Sequence, residues 1–263
     1  MDPWTPRAQM FAFDSMSMYT NSIPADYAFE IISKYLRDNE YNFEYHAETL
    51  IPVLEIIKFG DVYKKQISGT AMGKPQAPPW AAIYEGIHKD EYVPRWTYYI
   101  KLIRSFNDGG CAVWDPPIDA SVEASNVKYD EFQSVVNNNK CLTWEFTKLS
   151  NSVNFLDLIL TILPGGRIKT KLFEKPLALH LYIPPHSMHP QGVLTSHIFG
   201  SVLRMFRLNS DEDDTVSDVL CLYLVSQLHK VNVGTRRKLW SLSFWRRLPT
   251  PKSSCWRVIF NVN

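Results

Sequence analysis

A single turn signal constrains the fold of this chain more than any other feature. Asn107-Asp-Gly-Gly110 lies between two runs rich in tyrosine, isoleucine and other strand-forming residues, 98–106 and 111–114. Asparagine and glycine adopt the positive φ angles that tight hairpin turns require. The pattern therefore predicts an antiparallel β-hairpin, and the rest of the chain must pack around it.

Other segments predict further strands and several helices. Strands are predicted for the apolar run 8–13, which ends at Asp14, for residues 61–67, and for a second hairpin of 153–162 and 167–173 about Pro164-Gly-Gly166. Helical spacing of apolar residues predicts helices that begin near Ser22 and Pro78, and helices at 50–57 (ended by Gly60), 193–208 and 216–228. This order predicts an α+β fold, with an antiparallel sheet and packed helices followed by a mostly helical region.

The composition is that of a globular protein. Of the 263 residues, 45% are apolar and 21% are charged, with a net charge of +1. The four cysteines stand far apart, so neither a disulfide framework nor a zinc knuckle is indicated. Residues 1–7 lack the apolar core of a signal peptide, and no run reaches the ~18 apolar residues of a membrane span. We expect an intracellular chain that is not secreted, in the nucleus or the cytoplasm.

Two segments suggest chemistry with phosphates and divalent cations. Asp14 ends a predicted strand and is followed five residues later by the aromatic Tyr19, while the hairpin turn carries Asn107 and Asp108. Mg²⁺ is bound by a few carboxylates together with substrate phosphates, and paired ions drive in-line phosphoryl displacement. Taken singly, Asp14 is also compatible with a helix cap, and the turn forms whatever the function.

A glycine-rich loop is the third such segment. It contains Gln66, Gly69, Met72, Gly73 and Pro75 and leads into the helix predicted near Pro78. Glycines let the backbone approach a ligand closely, but the loop lacks the Gly-Lys-Ser/Thr of a nucleotide-binding P-loop. A tight turn between a strand and a helix is the alternative interpretation.

In their order along the chain, these three segments resemble the motifs A, B and C of reverse transcriptases, particularly the lineage of Penelope-like retroelements. Phe13-Asp-Ser-Met-Ser-Met-Tyr19 is similar to motif A, Gly69-x-x-Met-Gly-x-Pro75 to motif B, and Ser105-Phe-Asn-Asp108 to motif C. Segments 153–158, 170–176 and 186–190 also resemble the region after motif C. The resemblance covers about residues 8 to 245.

The resemblance implies a polymerase palm and a role for each matching residue. Asp14 and Asp108 are expected to bind Mg²⁺ or Mn²⁺, and Tyr19 to discriminate the sugar of the incoming deoxynucleotide. The loop residues Gln66, Gly69, Met72, Gly73 and Pro75 are expected to position the nucleotide and template. The implied partners are an RNA template and a DNA primer, with no membrane and no indicated protein partner.

The chain departs from the family pattern at motif C. Ser105 replaces the usual tyrosine, and Asn107 replaces the first of two metal-binding aspartates. Asparagine keeps an oxygen but lacks the negative charge that holds a hard cation. In a site that works by neutralising charge, this loss is expected to lower the rate on the order of 10³-fold or more. Because the chain begins almost at motif A, without the fingers motifs, we expect a truncated, degenerate copy.

Two further features allow other interpretations. His180, His186, His189 and His197 suggest zinc, but no cysteine accompanies them, so structural histidines are favoured. The tail from residue 230 onward carries eight basic residues and no acid. Its cations and tryptophans suit either nucleic-acid contact or a solvated basic helix.

The sequence therefore predicts three regions and two functional hypotheses. Residues 1–178 are expected to form a palm-like domain, 179–245 a thumb-like region, and 246–263 a divergent basic tail. The first hypothesis is template-directed DNA synthesis by two-metal nucleotidyl transfer, impaired by Asn107. The alternative is a non-catalytic nucleic-acid-binding remnant of a mobile element.

Overall fold

The structure is a computed structural model. It describes residues 4–16, 18, 25–39, 46–49, 56–65, 67, 69, 77–138, 142–175, 188–190 and 192–228. The chain divides into two compact units, one of 1–155 with 164–166 and the other of 156–163 with 167–263. The palm-like and thumb-like regions stay predictions, and the tail 246–263 lies outside the described residues.

In the part of the chain that the structure describes, the first unit combines strands with three long helices. In chain order its elements are β1 (Gln9–Met16), α1 (Ala25–Asp38), β2 (Ile56–Phe59), β3 (Val62–Lys65), α2 (Ala77–Tyr92), β4 (Ile100–Phe106), β5 (Gly109–Trp114), α3 (Val122–Asn137), β6 (Thr143–Phe146) and β7 (Ser152–Phe155). The antiparallel pairs β4–β5, β5–β1 and β1–β6 form a four-stranded sheet in the order β4-β5-β1-β6. The predicted α+β fold and the hairpin about Asn107 are confirmed.

Aromatic side chains form the core of this unit. Phe11 on β1 is fully buried, and its ring lies 5.1 Å from that of Tyr129 and 5.7 Å from that of Phe132. Trp114 is also fully buried and packs against both of those α3 residues. Edge-to-face and tilted ring pairs of this kind stabilise a core beyond their buried area. The central strand is therefore held by packing from the α3 side.

Helix α3 and strand β6 were not predicted from the sequence. Ser121 caps the helix by accepting a hydrogen bond from the Ala124 N–H at 3.1 Å. Ser125 is buried in the helix and accepts a hydrogen bond from the Trp114 indole at 3.1 Å. The Tyr129 hydroxyl donates to the Thr147 carbonyl at 2.7 Å. These bonds tie the helix to the sheet and to the segment that follows β6.

The second unit pairs two strands and packs two helices. Its elements are β8 (Leu158–Leu163), β9 (Arg167–Leu172), α4 (Val193–Leu208) and α5 (Glu212–Leu228). Ile198, Val202 and Met205 on α4 share a buried cluster with Val219 and Leu222 on α5. The α4 prediction is confirmed at both ends. In the part of the chain that the structure describes, no helix has both the length and the apolar character to cross a membrane.

Two of the predicted elements differ in the structure. Residues 56–59, placed in a helix from their apolar spacing, form β2, because the turn at Gly60 (φ 60°) pairs them with β3. Residues 50–55 lie outside the described part. The predicted strand 153–162 is broken at Leu156, whose left-handed φ of 54° ends β7 before β8 begins.

Candidate active site

The turn between β4 and β5 is a two-residue connection formed by Asn107 and Asp108. Asn107 has a φ of 56°, in the left-handed region that asparagine tolerates better than most residues with a side chain. The carbonyl of Asp108 accepts a hydrogen bond from the Ser15 N–H at 2.7 Å. This bond joins the turn directly to the central strand β1.

Asp14 lies on β1 beside that turn. Its Cα partner across the sheet is Gly109, the residue that follows Asp108. A Cβ added to Gly109 would lie 3.4 Å from Asp14 Oδ1, so the carboxylate leans over the glycine backbone. The strand continues two residues beyond Asp14 to Met16, so the acid is near the strand end rather than at it.

Among the described residues, burial and neighbouring negative charges dominate the electrostatics of Asp14. Burial raises the pKa of Asp14 above its ordinary value, and the negative charges of Asp108 and Glu145 raise it further. A hydrogen bond from the Ser15 backbone acts in the opposite direction. Like charges disfavour ionisation, and a bound cation would reverse that effect. A positive charge near Asp14 would therefore be stabilised by the neighbouring carboxylates.

Glu145 is a neighbour of Asp14 that sequence reasoning missed. The antiparallel pairing of β1 with β6 makes Glu145 the direct Cα partner of Asp14. Directly opposite residues in such a pair point to the same face of the sheet, with Cβ atoms roughly 5 Å apart. No local sequence pattern predicts that Glu145 lies opposite Asp14, because the two residues are distant in the sequence and β6 was not predicted.

Phe13 and Gly110 set how closely the hairpin approaches β1. The two are Cα partners, and a Cβ added to Gly110 would overlap with the ring carbons of Phe13. The ring therefore occupies the space that any side chain at position 110 would need. Phe13 is itself buried against Trp144, at 5.5 Å between ring centroids. This packing places the 107–108 turn beside Asp14.

Ser105, which stands where the resemblance expects tyrosine, joins a polar cluster with helix α2. Lys89 Nζ donates to the Ser105 hydroxyl, and lies 3.5 Å from Glu85 Oε1. Glu85 is 4% exposed, and burial raises its pKa, while Lys89 and a hydrogen bond from Ser105 act to lower it. An ion pair on α2 thus braces β4 two residues before Asn107. Neither α2 residue was predicted from the sequence to belong to the site.

Cys111 lies two residues beyond Gly109 on β5 and is buried. Burial raises the pKa of its thiol to about 11, against a smaller opposing effect of Arg104. The thiol is therefore protonated at neutral pH, and the reactive form, which is the thiolate, is suppressed. The chemistry of this end of the sheet rests on carboxylates.

The predicted motif B and gating residues are described only in part. Gly69 is buried and has a φ of 60°. Tyr19, Gln66, Met72, Gly73 and Pro75 lie outside the described residues. Of the four histidines considered for zinc, His180 and His186 also lie outside them.

The residues present fit a divalent cation of the magnesium type. Across the described ranges, no group of three or more histidine, cysteine, aspartate or glutamate side chains is placed to hold an ion by itself. Mg²⁺ usually takes only one or two protein carboxylates and completes its shell with water and substrate phosphates. The hard oxygen donors of Asp14 and Asp108 match that requirement.

Comparison with known proteins supports a polymerase-type fold. No protein-family model matches the chain, and no curated protein matches it. A telomerase from Candida albicans, solved with a TWJ fragment of telomeric RNA, matches 98% of this chain with a TM-score of 0.56 and 10% identity. This chain has a polymerase-like α+β fold.

Two other solved structures are similar at lower scores. An apo telomerase from Candida tropicalis matches 62% of this chain, with a TM-score of 0.42 and 14% identity. The BmCPV RNA-dependent RNA polymerase at its elongation state matches 78% of this chain and 19% of its own, with a TM-score of 0.49 and 9% identity. The chain spans 35% of the C. tropicalis telomerase and 43% of the C. albicans one.

Proposed function

We propose that this chain is a reverse-transcriptase-like protein of retroelement origin, similar to the Penelope-like lineage, whose site is built for template-directed DNA synthesis. The observation that carries the proposal is the meeting of Asp14 and the Asp108 turn at one end of the sheet, where Asp108 raises the pKa of Asp14. The similarity of fold to a telomerase supports the same class of chemistry.

The proposed roles follow from the position of each group. Asp14 and Asp108 would hold Mg²⁺ or Mn²⁺, which when bound supplies the positive charge that activates a primer hydroxyl and stabilises a leaving diphosphate. The hydrogen bond from the Ser15 N–H to the Asp108 carbonyl holds the backbone of the 107–108 turn beside β1. The ring of Phe13 packs against Gly110 in the core and so fixes how closely the β4–β5 hairpin approaches β1.

Asn107 is proposed to impair this function. Its side chain offers an amide oxygen where the resemblance expects a carboxylate, so one negative charge is missing from the proposed cation site. We expect synthesis to be reduced on the order of 10³-fold or more relative to an aspartate at the same position. The left-handed backbone at position 107 accepts aspartate as well as asparagine, so restoring the charge does not require a new turn.

A primer-extension assay tests the proposal. The chain would be given an oligo(dT) primer on a poly(rA) template, dTTP and either Mg²⁺ or Mn²⁺. We expect Asn107→Asp to raise synthesis by about 10³-fold, and Asp14→Asn in that background to remove it. Failure of Asn107→Asp to make any product would exclude the catalytic proposal.

Asn107→Gly is the matched control for the turn. Glycine adopts the left-handed conformation freely but carries no ligand atom, so it separates backbone effects from charge. We expect this variant to fold as well as the wild type and to synthesise no more DNA. A gain for Asn107→Gly equal to that of Asn107→Asp would mean that turn geometry, not charge, limits synthesis.

Asn107 also favours a second candidate, a nucleic-acid-binding protein without catalytic activity. Replacing the third expected acid by Asn107 removes a charge but leaves the fold unchanged, so a protein of this kind can still bind nucleic acid without catalysing synthesis. Salt-dependent binding to an RNA–DNA hybrid, with no incorporation by wild type or by Asn107→Asp, is the result expected of this candidate.

A further inference from the structure

The hairpin of β2 and β3 stands apart from the four-stranded sheet. Among the strands that the structure describes, these two pair only with each other, in a register that sets Ile56 opposite Lys65 and Lys58 opposite Tyr63. The turn between them is formed by Gly60 and Asp61, with Gly60 at a φ of 60°. A two-stranded hairpin has little stability of its own, so the interactions of its faces matter.

One face of this hairpin is basic and aromatic. Residues opposite each other, and residues two apart on one strand, point to the same side, which places Ile56, Lys58, Tyr63 and Lys65 on one face. All four are exposed, Tyr63 at 68% and Ile56 at 50%. Two of these four residues are cations, and Lys58 Nζ lies 5.8 Å from the centre of the Tyr63 ring.

This arrangement does not serve the core of the protein. A strand that packs on its own domain buries alternate residues, whereas every residue of β3 is exposed. The exposed side chains of Ile56 and Tyr63 share this face with two lysines, and adjoining apolar groups rimmed by polar ones are typical of an interaction surface. Lys58 and Lys65 are diagonal neighbours across the pair, roughly 7–8 Å apart, and Tyr63 is directly opposite Lys58 and two residues before Lys65 on the same face.

We propose that this face binds a single-stranded segment of nucleic acid, with Lys58 and Lys65 on its phosphates and a base stacked on Tyr63. Charge complementarity selects this occupant, because lysine is depleted at the centres of protein–protein interfaces whereas cations beside an exposed ring are the usual means of holding single strands. The inference deepens the proposed function, since it adds to a site of nucleotide transfer a surface that holds the strand.

Fluorescence anisotropy with a short labelled single-stranded RNA, repeated with the matching DNA and duplex, measures this binding. We expect Tyr63→Ala to weaken binding of the single strand about tenfold or more, because the base no longer stacks on a ring. The double variant Lys58→Gln with Lys65→Gln should flatten the dependence of log affinity on log salt by about 1.4, or about 0.7 for each phosphate that is no longer neutralised. The duplex should bind more weakly than the single strand.

The chain offers a matched control in a second exposed cation–ring pair. Lys101 Nζ lies 5.6 Å from the centre of the Tyr98 ring, and Tyr98 is 64% exposed. Tyr98→Ala and Lys101→Gln should leave both the affinity and its salt dependence unchanged. Thermal melting of every variant checks that the fold is retained.

The possible failures are distinguishable. No binding by the wild type at low salt would contradict the proposed function itself. Wild-type binding that Tyr63→Ala and the lysine variants leave intact would overturn only this inference. A wild-type oligomer that Tyr63→Ala converts to a monomer, seen by light scattering, would show that the face meets protein instead and would also overturn it.

Discussion

The core of the four-stranded sheet is largely aromatic, whereas in the second unit strand β9 adds hydrogen bonds and ion pairs to its apolar contact with the helices. Phe11 and Phe13 on β1 lie among aromatic neighbours from α3, β5 and β6. In the second unit, Asn209 is buried and bonds both the Leu172 N–H and the Asp218 carboxylate at 2.7 Å. Hydrogen bonds also tie α3 to the sheet of the first unit, but there they supplement a large aromatic core, whereas in the second unit they supplement the single buried apolar residue of β9, Leu172.

Ion pairs extend the polar scheme of the second unit. Lys169 and Lys171 on β9 lie 2.7 and 2.9 Å from the Asp214 carboxylate on α5. A close-packed aromatic core is destabilised by a change in side-chain volume, and its stability does not depend on pH because its side chains do not titrate near neutral pH. Packing by polar interactions fails when one partner is removed or titrated. The two regions should therefore respond to different perturbations, and three experiments test whether they do.

The largest effect is expected from Gly110→Ala. The added methyl group would overlap with the buried ring of Phe13, which cannot move without disturbing Trp144. Overpacking of this kind costs about 3 kcal/mol, a Tm loss of about 6–12 °C for a chain of this size. The control is Gly86→Ala in helix α2, where no atom lies within 4 Å of the added methyl. That variant should melt no lower than the wild type.

The next effect is expected from Asn209→Ala. This change leaves the buried Leu172 N–H without its acceptor, at a cost of about 1–3 kcal/mol. Hydrogen exchange followed by mass spectrometry should show faster exchange in β9 and unchanged exchange in β1 and β5. The exposed Asn126→Ala is the control, and it should leave both regions unchanged. Equal loss of protection in both units would contradict the difference between them.

The smallest effect is expected from Asp214→Asn, and it depends on pH. Hydrogen bonds from Lys169 and Lys171 hold the pKa of Asp214 below its ordinary value of 3.8. A group whose folded pKa is depressed adds stability above its unfolded pKa and loses that stability as the pH falls through the folded pKa. Asp214→Asn should therefore lower Tm at pH 7, by less than Asn209→Ala, and the Tm difference should shrink as the pH is lowered from 3.8. A Tm difference that stays constant through that acid range would contradict this assignment.

The parts of the fold that were predicted correctly carry their signal within a few residues. The sequence Asn107-Asp-Gly-Gly110 specifies a tight turn wherever it occurs, and Pro78-Pro79 specifies the first turn of a helix. The helix α4 was predicted to its end residues because its apolar residues keep one spacing throughout. Each of these predictions needed no knowledge of distant residues.

The errors arose where distant pairing decides the structure. Residues 56–59 have helical spacing, but pairing with β3 makes them a strand. Glu145 lies opposite Asp14 because β6 pairs with β1, and Lys89 contacts Ser105 because α2 packs on the sheet. Such contacts depend on how distant elements pair and pack, and no single segment of the sequence specifies them. A site assembled from several elements is therefore predicted incompletely from sequence.

The left-handed backbone at Asn107 has a consequence for the history of the gene. Codons for asparagine and aspartate differ by a single nucleotide, and the turn accommodates either residue with little strain. Selection for correct folding alone would therefore tolerate either asparagine or aspartate at position 107, and would not oppose a change from one to the other. A lineage with this turn can lose or regain a charge in one mutational step while its architecture stays the same.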